Sequence, residues 1–526
     1  MSENVNEGCG EKKKENVEEL KNLFKIPSGI TGFDDISKGG VPNGRTTLVS
    51  GTSGSGKTVF AAQFLYKGIM EQRMNGIFVT FEERPIDIMS NMKSFGWNIK
   101  QLVDEKKWAF VDASPDESDE IKVGQYDLNG LLARMEHVIK SVNAKRVVID
   151  SVSALFSRYE DAAIIRRELF RIGAKLKEWG ITAIMTAERP VDDGPIARFG
   201  IEEFVSDNVI LLHNRHVNRG YRERTIEILK FRGASHFMNE TPLIIGNVGM
   251  EIFPQQKSDL SGKGFLTKIS TGISGLDDML HGGLYDNSTT LLTGTSGTGK
   301  TVCMLHYIIT GAKNGEKCIL IEFEESAEQL YRNAKSFGWN LKEYVDEGDV
   351  KLVCRYPDEL TPQEYLKMIK DLILEFGGAQ RVGFDSLSAL ERIYEPNEFR
   401  KYVIGLNSFL KIQNCTSIIT NTTNELLGMS QLTSTHLSTI SDNIIVLKYV
   451  ELCGQMKRLV SVLKERGSDH KKELIEFNIT KNGVEILKPL IGFEGLMGSS
   501  ARKIGIHFDE KESEREFLQQ IEHAES

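Results

Sequence analysis

The sequence predicts an α/β protein built twice over: two tandem domains, each a mostly parallel sheet flanked by helices. Three observations carry that expectation. First, short apolar runs alternate with helix-like stretches; in the N-terminal half they are Thr46–Ser50, Ile77–Phe81, Val147–Asp150, Ile181–Thr186, Val209–Leu212 and Thr225–Leu229. Continuous apolar runs suit strands covered on both faces, and intervening helices supply the crossovers that parallel strands need. Second, a glycine-rich octapeptide, GTSGSGKT from Gly51 to Thr58, returns as GTSGTGKT from Gly294 to Thr301. Third, the text around it returns too, in the same order.

FVTFEE (Phe78–Glu83) recurs as LIEFEE (Leu320–Glu325), and SFGWN (Ser94–Asn98) recurs unchanged at Ser336–Asn340. RVVIDSVSAL (Arg146–Leu155) matches RVGFDSLSAL (Arg381–Leu390), SDNVILL (Ser206–Leu212) matches SDNIIVL (Ser441–Leu447), and LKFRG (Leu229–Gly233) matches LKERG (Leu463–Gly467). TGFDD (Thr31–Asp35) aligns loosely with TGISGLDD (Thr271–Asp278). Repetition at this spacing is duplication of a whole domain, not a solenoid. The expected organisation is a disordered arm over residues 1–21, a first domain over 22–254, a polar linker over 255–264, a second domain over 265–490, and a C-terminal loop and tail over 491–526.

The chain has 526 residues, too many for one ordinary core. It is 40% hydrophobic and 26% charged, an ordinary globular composition. Its net charge of −9 speaks against a dedicated nucleic-acid binder. No run is apolar for the roughly 18 residues of a membrane span, and the charged N-terminus lacks a signal-peptide core. The six cysteines, at positions 9, 303, 318, 354, 415 and 453, show no metal-ligand spacing. Reduced packing thiols in a cytoplasmic protein are the expectation.

Both octapeptides fit G-x-x-x-x-G-K-[ST], and each follows a strand-like run and opens a helix-like one. That context gives the motif a mechanism. Backbone N–H groups of Gly51, Thr52, Ser53, Gly54, Ser55 and Gly56, and of Gly294, Thr295, Ser296, Gly297, Thr298 and Gly299, can cradle a polyphosphate. Lys57 and Lys300 reach the outer phosphates, and Thr58 and Thr301 can ligate Mg²⁺. Asp150 and Asp385 end apolar strands and can hold Mg²⁺ through its water shell. Glu82–Glu83 and Glu324–Glu325 end another strand. One member of each pair can accept the proton of an attacking water or hydroxyl, with Glu83 and Glu325 the candidates that also face the metal. Lys230, Arg232, Lys464 and Arg466 end a late strand, far along the chain from the phosphate loops, as cations serving a site in trans would. The basic run Arg215–Arg224 reads equally as a further finger or as a solvated hairpin.

Together these residues resemble the KaiC family of RecA-like P-loop ATPases, over about residues 22–500. The resemblance implies two RecA-like domains, six subunits in a double ring, and ATP with Mg²⁺ between neighbouring subunits. It assigns catalysis to Glu82, Glu83, Glu324 and Glu325, and action in trans to Lys230, Arg232, Lys464 and Arg466. QLTSTHLSTISDN (Gln431–Asn443) is similar to the family's autophosphorylation segment, which makes Ser438 and Thr439 the phosphate acceptors and Thr433 a transient one. Aligning the two SDN triplets sets Ser438 against Glu203 and Thr439 against Phe204, so the first half has no hydroxyl at either position. The expectation is ATP hydrolysis in the first domain and serine/threonine autophosphorylation in the second. The family's partners are KaiB, at the first half, for which no short motif exists here, and KaiA, at a tail whose wording differs in this chain. The competing readings are an ATPase scaffold without kinase activity and a DNA-dependent recombinase or helicase.

Overall fold

A computed structural model describes residues 24–113, 128–155, 161–192, 194–197, 206–216, 222–254, 267–423, 440–452, 454–490, 493–494 and 502–503. The expected arm, the linker, most of the tail, and Thr433, Ser438 and Thr439 with their counterparts Glu203 and Phe204 lie outside the described residues. The chain divides into two compact units, Met1–Gln255 and Gln256–Ser526.

The first unit is built on a nine-stranded sheet. Its strands are β1 (Thr46–Gly51), β2 (Gly76–Thr80), β3 (Trp108–Asp112), β4 (Arg146–Asp150), β5 (Thr182–Glu188), β6 (Asn208–His216), β7 (Arg222–Phe231), β8 (Thr241–Gly246) and β9 (Gly249–Ile252). Their order across the sheet is β9-β8-β7-β6-β1-β5-β4-β2-β3. Strands β6 to β3 along that row are mutually parallel, and β7, β8 and β9 extend the sheet antiparallel. The six apolar runs read from the sequence correspond to β1, β2, β4, β5, β6 and β7. The strands without such a run are β3, an edge strand, and the β8–β9 hairpin, which carry weaker apolar patterns because less of each is covered.

Burial on both faces explains the continuous apolar text. On β2, Phe78 packs in one layer with Phe60 and Phe64 of helix α1 (Lys57–Gln72). Ile77 and Val79 pack in the other, with Leu131 and Met135 of α2 (Leu128–Val142) and Ile165 and Leu169 of α3 (Ala162–Glu178). The described residues of the basic run, 215–216 and 222–224, lie on the ends of β6 and β7, where Arg215 faces Glu223 and His216 faces Arg222 across an antiparallel pair.

The second unit repeats the arrangement with β10 (Thr289–Gly294), β11 (Cys318–Glu322), β12 (Val350–Cys354), β13 (Arg381–Asp385), β14 (Thr416–Thr422), β15 (Asn443–Leu452), β16 (Gln455–Glu465), β17 (Ile475–Thr480) and β18 (Gly483–Pro489). The order β12-β11-β13-β14-β10-β15-β16-β17-β18 is the first sheet's, read from the other edge. Helix α4 (Lys300–Lys313) covers one face, and α5 (Pro362–Glu375) and α6 (Pro396–Ile412) the other. Each sheet carries a buried arginine as the first residue of an interior strand, Arg146 on β4 and Arg381 on β13. Arg146 donates to Phe64 O (2.6 Å) and stacks on the Phe64 ring, and Arg381 donates to Tyr307 O (3.1 Å) and stacks on Tyr307. The loose N-terminal alignment is sharpened. Asp34 accepts from Ser28 N and Asp277 from Thr271 N, so Thr271 corresponds to Ser28 rather than to Thr31.

One internal difference makes a testable contrast. On α1, Gln63 Oε1 accepts the Met250 N–H (2.7 Å); at the same position on α4, His306 Nε2 accepts the Val484 N–H (2.9 Å). Burial, reinforced by Lys313 against a stabilising backbone contact from Gly272, lowers the His306 pKa to about 4. An unfolded histidine titrates near about 6.5. Between those values the unfolded chain binds the extra proton, so stability is full above about 6.5 and falls as pH drops toward about 4. The expected result is that His306→Gln, the first domain's own solution, flattens the second domain's stability–pH curve in that window, read by denaturant unfolding.

Candidate functional site

The phosphate loop leaves β1 at its carboxyl end and enters α1. Its fold requires glycine at two kinds of position. A side chain at Gly51 would meet Leu212 O at 2.4 Å, and Gly56, which caps α1, has φ 101°. The second loop is the same: a side chain at Gly294 would meet Leu447 O at 2.3 Å, and Gly299 has φ 109°. Lys57 Nζ donates to Gly51 O (2.9 Å) and Thr52 O (3.0 Å), and Lys300 Nζ to Gly294 O (2.9 Å) and Thr295 O (3.0 Å). Burial lowers both lysine pKa values. Glu188, Asp150 and Glu82 oppose this in the first site, and Asp385 and Glu324 in the second.

Both loops fit a polyphosphate. The buried hydroxyls of Thr52, Ser55 and Thr295 have no hydrogen-bond partner, and each loop presents backbone N–H groups at the start of a long helix. Neighbouring strands clamp the rims. Asn214 Nδ2 on β6 donates to Ser53 O, Arg224 Nε on β7 to Gly54 O (3.0 Å), and the Tyr449 hydroxyl on β15 to Gly297 O (2.7 Å). Arg224 belongs to the basic run singled out in the sequence; no local motif marks Asn214 or Tyr449, and strand order brings all three to the loop.

The acidic groups gather at the same strand ends. Thr58 donates to Asp150 Oδ2 (2.9 Å) and Thr186 to Asp150 Oδ1. Burial raises the Asp150 pKa, against the lowering effect of those two hydroxyls. In the second site Thr420 donates to Asp385 Oδ1, while Asp385 Oδ2 is buried without a partner. An oxygen pair facing a threonine hydroxyl is a donor set that suits Mg²⁺ with its water shell. Ser151 Oγ donates to Glu82 Oε1 (2.6 Å) and Asn91 Nδ2 to Glu83 Oε2 (3.1 Å). Ser386 Oγ is farther from Glu324 Oε1 (3.4 Å), and Asn333 Nδ2 donates to Glu325 Oε2 (2.9 Å). Burial first, then Asp150 or Asp385, raises the pKa of Glu83 and Glu325.

One group in this cluster was not singled out from the sequence. Glu322, at the end of β11, is 2% exposed and directly opposite Asp385 in the parallel pair β11–β13. Burial and Asp385 push its pKa up to about 9. Its counterpart is Thr80, so the signal was present in LIEFEE against FVTFEE, as the one position in that hexapeptide where a hydroxyl gives way to a carboxyl.

Lys230, Arg232, Lys464 and Arg466 stand elsewhere. Lys230 is opposite Val209 on the adjacent strand, and Val209 is level with Leu48 in β1. That places it toward the amino ends of the parallel strands, whereas the phosphate loop leaves their carboxyl ends. Lys230 Nζ donates to Ser206 O (2.8 Å) and Lys464 Nζ to Ser441 O (2.6 Å). Arg232 lies 3.7 Å from Asp207, and Arg466 lies 3.4 Å from Asp442. The SDN triplets thus anchor the cations the sequence assigned to a site in trans. The described cysteines 303, 318, 354 and 415 are free, and among the described residues no helix is long and apolar enough to cross a membrane.

Comparison with known proteins covers both units. The family model described as "ATPase: KaiC" matches residues 26–257 and again 269–491. The circadian clock oscillator protein KaiC of Thermostichus vulcanus is 46% identical over 488 residues, 93% of each chain. That of Acaryochloris marina is 44% identical over 509 residues, 97% of each chain. The circadian clock protein KaiC3 of Synechocystis sp. is 45% identical over 504 residues, 94% of this chain and 99% of its own. Two matched halves, each with a complete phosphate loop at the same strand end, place this chain in the KaiC family of ATPases.

Proposed function

We propose that the chain hydrolyses ATP at its first site and, at its second, transfers the γ-phosphoryl group to Ser438 and Thr439 of the protein itself, with Thr433 as a transient acceptor. In this reading the protein is a homohexamer, the two Lys–Arg pairs complete a neighbouring subunit's site, and the assembly acts as a timing component in the cytoplasm. A KaiB-like protein is a candidate partner. The observation that carries it is the split geometry. Phosphate loop, Asp and Glu pair share the carboxyl ends of the strands, while Lys230, Arg232, Lys464 and Arg466 lie toward the amino ends. Such cations are badly placed for their own chain's phosphate, which supports a role at a neighbour's.

Each side chain then has a task. Backbone N–H groups of Gly51–Thr58 and Gly294–Thr301 hold the phosphates, and Lys57 and Lys300 offset their charge. Thr58 and Thr301, with Asp150, Asp385, Glu83 and Glu325, would hold Mg²⁺, which would supply further charge neutralisation. In the second site the Thr439 or Ser438 oxygen attacks the γ-phosphorus, the bond to the β-phosphate bridging oxygen breaks, ADP leaves, and Glu324 takes the hydroxyl proton. In the first site Glu82 prepares a water instead, since the aligned residues Glu203 and Phe204 offer no hydroxyl. A phosphate adds roughly −1.5 to −2 charges, enough to report a slow state through subunit packing.

The test is incubation with γ-labelled ATP followed by phosphosite mapping over time. Label at Ser438 and Thr439 is expected. ATP turnover without label would leave an ATPase and remove the kinase.

A further inference from the structure

The two acid pairs are held by opposite devices. In the first unit the Thr80 hydroxyl donates to the carbonyl oxygen of Glu83. In the second, Glu322 Oε1 accepts both the Glu324 N–H (2.9 Å) and the Glu325 N–H (3.0 Å). One oxygen of a buried, strand-end carboxyl thus grips the backbone of both acid-pair residues, where the first unit has a single bond to one carbonyl. The other oxygen, Oε2, is buried without a partner, as is Asp385 Oδ2 across the strand pair. Burying a carboxyl beside an aspartate is costly unless the contact does something that threonine does not.

We propose that Glu322 is a positioning residue for the second site, and that its double hold on the Glu324–Glu325 backbone sets where that acid pair stands relative to the bound phosphate. The inference rests on the reading of the second site as one that turns over ATP. Glu322 itself touches no reacting atom; it acts through the turn it anchors. A displacement of about 1 Å in a catalytic group can cost on the order of 10²-fold in rate, so the grip matters even though the chemistry lies elsewhere. It also separates the two units. The acid pairs are identical in sequence, and the exchange of Thr80 for Glu322 changes how their backbone is held.

The experiment uses the full chain with the first site silenced by Glu82→Gln and Glu83→Gln, so that turnover reports the second site. Glu322→Met keeps the bulk and removes the acceptor. Glu322→Gln keeps an oxygen acceptor for both N–H groups and turns an amide donor toward Asp385. Glu322→Met is expected to lower kcat by about tenfold or more with KM for ATP changed less than about threefold, and to speed amide exchange at Glu324 and Glu325. Glu322→Gln is expected to restore slow exchange and bring kcat to within about threefold of the parent. Unchanged exchange and kcat in Glu322→Met would overturn the proposal. So would a Glu322→Gln variant as impaired as Glu322→Met, which would assign the role to charge rather than to the backbone grip. If the parent hydrolyses ATP without labelling Ser438 or Thr439, the kinase reading fails while kcat for hydrolysis still tests Glu322. If the second site turns over no ATP, amide exchange still reports the grip.

Discussion

Glu324→Gln is expected to reduce labelling of Ser438 and Thr439 by about 10²-fold or more while ATP still binds at the second site. The side chain is suited to accept a proton. It is 46% exposed, and its nearest contacts, Ser386 at 3.4 Å and Arg392 at 3.7 Å, are long. Glutamine preserves its size and those contacts but cannot act as a base. Glu325 differs. Burial and Asp385 favour its neutral form, and Asn333 holds its Oε2 at 2.9 Å, so Glu325→Gln is expected to act through metal and turn geometry rather than proton transfer. The check is phosphosite label per bound ATP in both variants. Full labelling in Glu324→Gln would move the base elsewhere.

Lys57→Ala and Lys300→Ala are each expected to weaken nucleotide binding at their own site by about 10²-fold, the loss of roughly 3 kcal/mol of charge-assisted hydrogen bonding. Each ammonium is parked on two carbonyls of its own loop, so it is already oriented when phosphate arrives and little ordering remains. Removal also leaves those carbonyls without their donor. Lys57→Ala is expected to impair oligomer assembly more than Lys300→Ala, if nucleotide in the first domain holds the ring together. Equilibrium nucleotide binding reads the first effect and size-exclusion chromatography the second. Equal elution profiles would contradict the assignment of assembly to the first domain.

The phosphate loops, the Asp–Ser strand ends and the acid pairs were legible because each is local. A few consecutive residues specify a strand, the turn that leaves it and the groups exposed at that turn. Residue spacing alone therefore marks Gly51–Thr58, Asp150 and Glu82–Glu83, and their second copies, as groups gathered at strand ends. The duplication added a comparison within one chain, which separated Ser438 and Thr439 from Glu203 and Phe204.

The contacts that the text did not yield depend on strand order. Asn214 and Arg224 reach the first phosphate loop because β6 lies beside β1 and β7 beside β6, and Tyr449 reaches the second because β15 lies beside β10. Glu322 reads in the sequence as one more acidic residue before a pair of them; its burial against Asp385 exists only because β11 and β13 are neighbours. Gln63 and His306 look like unrelated side chains on two helices until their equivalent partner strands, β9 and β18, show that they do the same job. Sequence alone determined what each strand end carries, since that chemistry is written in adjacent residues. Only the tertiary structure decided which strand ends meet, because sheet order is settled by packing among segments far apart in the chain, and no short stretch of chain contains it.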